Sequence, residues 1–135
     1  MEGGTLDIIY KNKYYLIKQA CIEVRKVLGN GFLEKIYENA LAVELEKTGF
    51  RVETQKRLTV NYKGHVIGDY IADIVVDDII IIELKVANEI IDLHKAQLLN
   101  YLTITGYKLG VLINFPNNKA GFTIERIPNL RPIYT

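Results

Sequence analysis

Apolar residues recur at helical spacing through the first fifty positions of the chain. In "KYYLIKQACIEVRKVLG", residues 13–29, they lie three and four positions apart, which predicts a helix that ends at Gly29. The same spacing returns in "NGFLEKIYENALAVELEKTGF", residues 30–50, with Leu33 and Ile36 on the predicted apolar face and Gly49 at the end. We predict two helices that pack against each other as a hairpin.

The apolar period shortens after Arg51. The segment "RLTVNYKGHVIGDYIADIVVDDIIIIELKV", residues 57–86, alternates or runs apolar and is interrupted at Lys63-Gly64 and at Asp77-Asp78. Runs rich in β-branched residues between short turns are typical of strands, so we predict a three-stranded meander.

The last third of the chain returns to a helix and then to strands. Helical spacing in "EIIDLHKAQLLNYLTITG", residues 89–106, closes at Gly106. The segments "KLGVLINF" and "GFTIERI" predict two further strands, separated by the turn-forming residues 116–118. The predicted order is ααβββαββ, an α/β fold with a mixed β-sheet flanked by helices.

Composition limits the class of protein. The chain has 135 residues, 49% apolar and 24% charged, which predicts a single globular domain over residues 1–135. Cys21 is the only cysteine, so an intramolecular disulfide is excluded and a reducing, cytoplasmic setting is expected. No signal peptide is recognised, and no apolar run approaches the roughly 20 residues that span a membrane.

The net charge is close to neutral. At +1 it does not indicate a nucleic-acid-binding protein as a strongly basic balance would. Any phosphate-binding surface must therefore be local.

Two charges stand at the end of the most apolar predicted strand. In "DIIIIELKVA" the side chains of Glu83 and Lys85 project from one face, while Leu84 points to the other. An unpaired charge in an apolar interior costs several kcal/mol, so the pair lies at a strand end, in a cleft or beside an ion. One interpretation is a strand that simply runs out into solvent.

The alternative is a site shared with Asp73 on the preceding strand. A two-residue turn at Asp77-Asp78 would pair Asp73 with Ile82 and point it away. A three-residue loop that includes Ile79 would pair it with Glu83.

If the two carboxylates meet, they need a cation between them. Hard oxygen ligands select Mg²⁺ or Mn²⁺, and the Leu84 backbone carbonyl offers another oxygen. Such an ion polarises a phosphodiester, while Lys85 orients a water or stabilises developing charge.

The ordered set Asp73, then Glu83-Leu84-Lys85, resembles the D…(D/E)xK core of the PD-(D/E)xK nuclease superfamily, the restriction-endonuclease-like fold. More narrowly, "GFLEKIY", residues 31–37, resembles the G-x-x-E-x-x-Y signature of the GxxExxY family. The resemblance continues through "YKG", "YIAD", "HKAQLLNYL" and "GVLINF", and covers residues 28–127. One departure is Ala72, which stands where the superfamily pattern has proline.

This resemblance implies roles for individual residues. Asp73 and Glu83 would be metal ligands, Lys85 the catalytic lysine, and Glu34 an extra acid that reaches the metal directly or through water. Gln97 and Tyr101 match a Q-x-x-x-Y pattern of one branch of the superfamily, and their spacing places them on one helix face.

Each accessory residue also has a structural interpretation. Glu34 near a helix start favours the helix dipole, and Gln97 and Tyr101 could be half-buried packing residues. Tyr37 is more typical of a core, and His94 of a structural or solvated histidine. Asp69 lies on the same predicted face as Asp73 and is a reserve acid.

The expected function is that of a metal-dependent nuclease with Mg²⁺ or Mn²⁺ as cofactor and nucleic acid, foremost DNA, as substrate. The alternative is a catalytically inactive module on the same fold that binds nucleic acid or a protein partner. A homodimer would supply the surface that a chain of this size lacks for gripping a duplex.

Overall fold

The computed structural model describes residues 2–130, and the order of its elements confirms the predicted order of helices and strands. The elements are α1 (Glu2–Leu28), α2 (Glu34–Lys47), β1 (Val52–Tyr62), β2 (His65–Val76), β3 (Ile80–Lys85), α3 (Asp92–Thr105), β4 (Leu109–Asn114) and β5 (Thr123–Pro128). No helix among these residues is long and apolar enough to cross a membrane.

The strands form one mixed sheet in the spatial order β1-β2-β3-β4-β5. Strands β1 to β3 are antiparallel neighbours, as the predicted meander requires. Strand β4 runs parallel to β3, and α3 makes the crossover between them, as a parallel connection demands. Strand β5 returns antiparallel to β4. The α/β fold with a mixed sheet is therefore confirmed.

Helices cover the two faces of the sheet and bury separate clusters. The α1–α2 cluster joins side chains of both helices to one sheet face, including Ile17, Leu41, Ile74, Ile82 and Leu84. The α3 cluster joins Leu98 and Leu102 to the other face, including Tyr70, Ala72, Val75, Ile81 and Leu112. Successive side chains of β3 point to opposite faces of the sheet, so the strand contributes residues to both clusters. Because both faces are covered, every position of the run is apolar.

The two predicted turns have the backbone that tight turns need. Lys63 and Gly64, with φ of 48° and 81°, make the two-residue connection between β1 and β2. Asp77 and Asp78 also have positive φ, 52° and 56°, and β2 pairs with β3 from Val76↔Ile80 onward. The loop between these strands therefore contains three residues, 77–79.

Helices α1 and α2 differ from the sequence prediction in detail. Helix α1 begins at Glu2 rather than near residue 13. Leu33 and Ile36, predicted on the apolar face of α2, are 78% and 43% exposed, whereas Glu38 is buried. The reason is that Leu33 precedes the first helical turn, and the face that meets the core carries Tyr37 and residues one and two turns later.

Candidate active site

The charged end of β3 faces a cavity under α3. Glu83 and Lys85 line a cavity of about 290 Å³ together with Gln97 and Tyr101 of α3. Leu84 lies in the α1–α2 cluster on the opposite face. The prediction that Glu83 and Lys85 share one face is confirmed, and the strand does not simply end in open solvent.

The register between β2 and β3 is the one that a shared site needs. The paired residues end at Ile74↔Ile82, so Asp73 and Glu83 are the next residues in register, at a fork where the strands part. In this fork the Leu84 N–H donates to Asp73 Oδ2 at 2.8 Å. Since the N–H and C=O of one strand residue point to the same side, the Leu84 carbonyl also points toward the fork.

The side chains of β2 do not alternate regularly through Asp73. Ala72 packs in the α3 cluster and Ile74 in the α1–α2 cluster, although residues two apart normally share a face. Regular alternation therefore cannot be counted through to Asp73, and the shared face of Asp69 and Asp73 stays a prediction. Asp69 is exposed at the cavity rim, and its Oδ2 lies 3.6 Å from Arg57 Nη1.

Helix α2 brings two acids toward the fork. Glu34 is its first residue, and partial burial together with Asp73 raises the pKa of Glu34, while Lys85 opposes the rise. Glu38, one turn later, is 2% exposed; its two oxygens accept from Lys35 Nζ at 2.7 Å and Gln55 Nε2 at 2.8 Å. The sequence analysis missed Glu38, although its i+4 spacing from Glu34 places both acids on one helix face.

The loop before Glu34 explains the G-x-x-E-x-x-Y pattern. Gly31 has φ of 106°, which other residues rarely adopt. Tyr37 is fully buried, and its hydroxyl donates to the Gly29 carbonyl at 2.6 Å and accepts from the Phe32 N–H at 3.4 Å. Asn117 Oδ1 accepts from the Gly31 N–H at 2.8 Å. Tyr37 is therefore a core residue that fixes the loop from which Glu34 starts.

Glu83 has the most perturbed carboxyl of the fork. Burial raises its pKa from 4.5 to about 8, and Glu34 and Glu38 add to the rise. Lys85 and the backbone of Asp73 oppose it. Burial also raises the pKa of Asp73, while the Leu84 N–H lowers it. Acids held in this way bind a proton or a cation readily.

Aromatic residues connect Glu83 to α3. The Tyr70 hydroxyl donates to Glu83 Oε1. The Tyr70 ring stacks on Tyr101, with centroids 3.7 Å apart and planes 8° from parallel. Gln97 is exposed at the cavity, whereas His94 Nδ1 accepts from the Ile91 N–H at 3.3 Å at the start of α3. Gln97 and Tyr101 thus line the same cavity as Glu83, and His94 has a capping contact.

The chain beyond Lys85 is fixed by a buried amide. Asn114, 1% exposed, pairs with Lys85 in the parallel ladder. Its side chain accepts from the Ala87 N–H and donates to the Ala87 carbonyl, both at 2.9 Å. The Lys85 side chain is therefore attached to a rigid part of the backbone at the end of β3.

The donor set at the fork fits a hard divalent cation. Asp73, Glu83 and the Leu84 carbonyl supply oxygen, the ligand that Mg²⁺ and Mn²⁺ prefer. Burial is the main cause that raises the pKa of both carboxyl groups, and a bound cation would offset the cost of charging them. Among residues 10–130, whose side chains the structure describes, no three His, Cys, Asp or Glu side chains are already clustered closely enough to hold a metal ion. The residues fit the cation by chemistry, and their carboxylates have other hydrogen-bond partners.

The mixed sheet, its helical layers and the acid-lined fork define a restriction-endonuclease-like fold. The family model for the PD-(D/E)XK nuclease superfamily matches residues 11–127, and the chain belongs to this superfamily. A comparison with curated proteins found no match.

Two solved structures have a similar fold. The crystal structure of SSO0001 superposes with a TM-score of 0.54, and its sequence is 23% identical to that of this chain. The match covers 90% of this chain and 60% of SSO0001. An alkaline exonuclease (LHK-Exo) from Laribacter hongkongensis is 14% identical with a TM-score of 0.53, and the match covers 86% of this chain and 68% of that one. The chain thus spans about 60% of the length of SSO0001.

Proposed function

We propose that the chain is a metal-dependent nuclease that hydrolyses phosphodiester bonds of DNA, and that it belongs to the GxxExxY family within the superfamily. The observation that carries the proposal is the convergence of Asp73, Glu83 and Lys85 at one fork of the sheet, with Glu34 in electrostatic range. An alkaline exonuclease among the structural neighbours supports nuclease activity.

In this proposal Asp73, Glu83 and the Leu84 carbonyl hold Mg²⁺ or Mn²⁺, and Glu34 acts on it through a water. When bound, the cation polarises the phosphodiester and lowers the pKa of an attacking water. The preference of the fork for a cation follows from Glu83, whose carboxylate form is disfavoured by burial and by nearby acids.

The chain's own residues bind the substrate and move charge around it. The Lys85 ammonium lies on the same sheet face as Glu83, where it orients the water and stabilises negative charge on the phosphate. The Gln97 amide is exposed in the same cavity, so it can donate to a phosphate or sugar oxygen. Tyr101 acts indirectly, because its ring supports Tyr70, whose hydroxyl donates to Glu83.

A second candidate is a binding module that does not cleave. One observation favours it: Tyr70 and Leu84 already hydrogen-bond the carboxylates of Glu83 and Asp73. A module of this kind would bind nucleic acid with an affinity that falls steeply as salt rises, and would release no product.

Cleavage assays with matched lysine variants distinguish the two candidates. Single- and double-stranded DNA and RNA are incubated with Mg²⁺ or Mn²⁺ and with wild type, Lys85→Ala or Lys108→Ala. Lys108 is exposed and precedes Leu109, which begins the β3–β4 ladder, whereas Lys85 lies at the other end of that ladder. The Lys108→Ala variant therefore also loses one positive charge, but at a place far from the fork.

We expect DNA cleavage by wild type and Lys108→Ala, and a loss of at least about 100-fold in Lys85→Ala, the magnitude of one charge-stabilising group. Cleavage that survives in Lys85→Ala would contradict the assigned site. Salt-dependent binding without cleavage by wild type would support the module instead.

A further inference from the structure

Gln55 has a backbone conformation that is unusual for its place in the fold. Its φ is 50°, in the left-handed region, although it lies inside strand β1. The other described non-glycine residues with positive φ are Lys63, Asp77 and Asp78, all in turns. Backbone outliers of this kind persist where the surrounding structure demands them, and they cluster at functional sites.

The outlier stands directly opposite Asp73. On β1, Thr54 pairs with Ile74 and Lys56 pairs with Ala72, so Gln55 and Asp73 face each other between these pairs. Ala72 and Ile74 pack on opposite faces of the sheet, so β2 turns over at this point.

Strand β1 turns over at the same place as β2. Val52 packs against the α1–α2 cluster and Leu58 against the α3 cluster, although both are even-numbered residues that regular alternation would put on one face. The left-handed residue is the irregularity that allows this reversal. At this reversal the Asp73 carboxylate extends toward the neighbouring strand β3, where it accepts a hydrogen bond from the Leu84 N–H.

The side chain of Gln55 connects two carboxylates. Its Nε2 donates to Glu38 Oε1 at 2.8 Å, and the strand register places the same residue opposite Asp73. Burial raises the pKa of Asp73, and the Gln55 side chain is among the groups that oppose the rise. Glu38 is almost fully buried, and Lys35 Nζ holds its other oxygen at 2.7 Å. An amide nitrogen carries two N–H groups and no formal charge, so it can serve both acids and offset their repulsion.

We propose that Gln55 is a positioning residue that, together with Glu38, sets the Asp73 carboxylate at the fork for cation binding. The inference rests on the proposed metal-dependent function and adds two residues that the superfamily motif does not include. Glu38 anchors the amide, and the amide orients Asp73. Partners of this kind determine how well a carboxylate serves as a ligand.

The test measures Mn²⁺ affinity rather than catalysis, by the loss of the paramagnetic resonance signal of free Mn²⁺ on titration. Gln55→Asn keeps an amide that tolerates the left-handed backbone but shortens its reach by one methylene. Lys63→Asn is the matched control, because it makes an Asn at φ of 48° in a turn. If Gln55→Asn does not fold, Gln55→Gly replaces it, since glycine adopts this φ freely. Folding is checked by circular dichroism and thermal melting without metal.

We expect Gln55→Asn to bind Mn²⁺ about 10- to 100-fold more weakly than wild type, and Lys63→Asn to bind like wild type. A double-mutant cycle with Glu38→Gln then tests whether Glu38 acts on Asp73 through the Gln55 amide. Glu38→Gln also removes a negative charge near the fork, which weakens cation binding equally in wild type and in Gln55→Asn. The double-mutant cycle cancels this shared electrostatic effect and isolates the coupling between the two residues. We expect Glu38→Gln to weaken binding less in the Gln55→Asn background than in wild type.

Three outcomes overturn the inference. Wild-type affinity in Gln55→Asn removes the role of Gln55 while leaving the metal site intact. Additive effects in the cycle show that Gln55 does not act with Glu38. Absence of Mn²⁺ binding by wild type refutes the proposed metal-dependent function, and this inference with it.

Discussion

The raised pKa of Glu83 predicts an unusual dependence of stability on pH. In the folded chain its pKa is about 8, against an ordinary value of 4.5, because the carboxylate is partly buried near Glu34 and Glu38. An acid with a raised pKa favours the folded state when protonated. The stabilising effect is therefore complete below about pH 4.5, declines as pH rises, and is lost near pH 8.

The magnitude follows from the size of the shift. Each pH unit between the two pKa values is worth about 1.4 kcal/mol, so the full shift is on the order of 5 kcal/mol. Glu83 keeps some contact with solvent, and we therefore reduce this figure to about 2 kcal/mol. For a chain of this length that corresponds to a change of about 7 °C in Tm.

The Glu83→Gln variant isolates this effect. Glutamine has nearly the shape of a protonated glutamate and does not titrate, so the difference in Tm between variant and wild type cancels the other ionisable groups. Without metal we expect similar Tm values near pH 4.5 and a variant about 7 °C more stable near pH 8. At pH 8, Mg²⁺ at about a hundred times its Kd would raise the wild-type Tm, since it adds about 2.7 kcal/mol, and would raise that of the variant much less.

Melting curves from pH 4 to 9, with and without Mg²⁺, check the prediction. Parallel Tm profiles for wild type and Glu83→Gln would refute the reasoning, because they would mean that Glu83 titrates alike in the folded and unfolded chain. A Tm insensitive to millimolar Mg²⁺ and Mn²⁺ in wild type would contradict the proposed metal site.

Two further predictions follow from contacts around the cavity and in the core. Tyr70→Phe removes the hydroxyl that donates to Glu83 but keeps the ring stack, so we expect the fall in Tm with pH to shift to higher pH, with little loss of stability near pH 4.5. Gly110→Ala places a Cβ 3.0 Å from Leu98 Cδ2, and we expect thermal melting to show a destabilisation of about 1–3 kcal/mol from this crowding.

Each of these predictions has a direct control. For Tyr70→Phe, the double variant with Glu83→Gln should have the same pH profile of Tm as Glu83→Gln alone, since Glu83 no longer titrates. A pH midpoint unchanged from wild type in Tyr70→Phe would contradict the assigned hydrogen bond. For Gly110→Ala, the control is Gly68→Ala, whose Cβ would have nothing within 4 Å. Equal Tm values for the two alanine variants would show that Leu98 yields without cost.

The sequence predicted the elements and the faces of β3 because both depend on local periodicity. Ile80, Ile81 and Ile82 are fully buried in β3, and alternation alone places Glu83 and Lys85 together. The role of Tyr37 in the core was also predictable, since an aromatic residue on the apolar face of a helix is commonly buried. Residues whose burial depends on how α2 meets the sheet were not predictable in this way, and Glu38 is the clearest example.

The sequence by itself thus determined the α/β order, the polar end of β3 and the set of acids available to the site. It left open whether Asp73 pairs with Ile82 or Glu83, because the loop length depends on which residues adopt positive φ. Only the tertiary structure decided that register, the fork, and the position of Gln55, which contacts Glu38 and lies opposite Asp73. The physical reason is that periodicity is local, whereas side chains from α2, β1, β2 and β3 meet only when helix and sheet pack together.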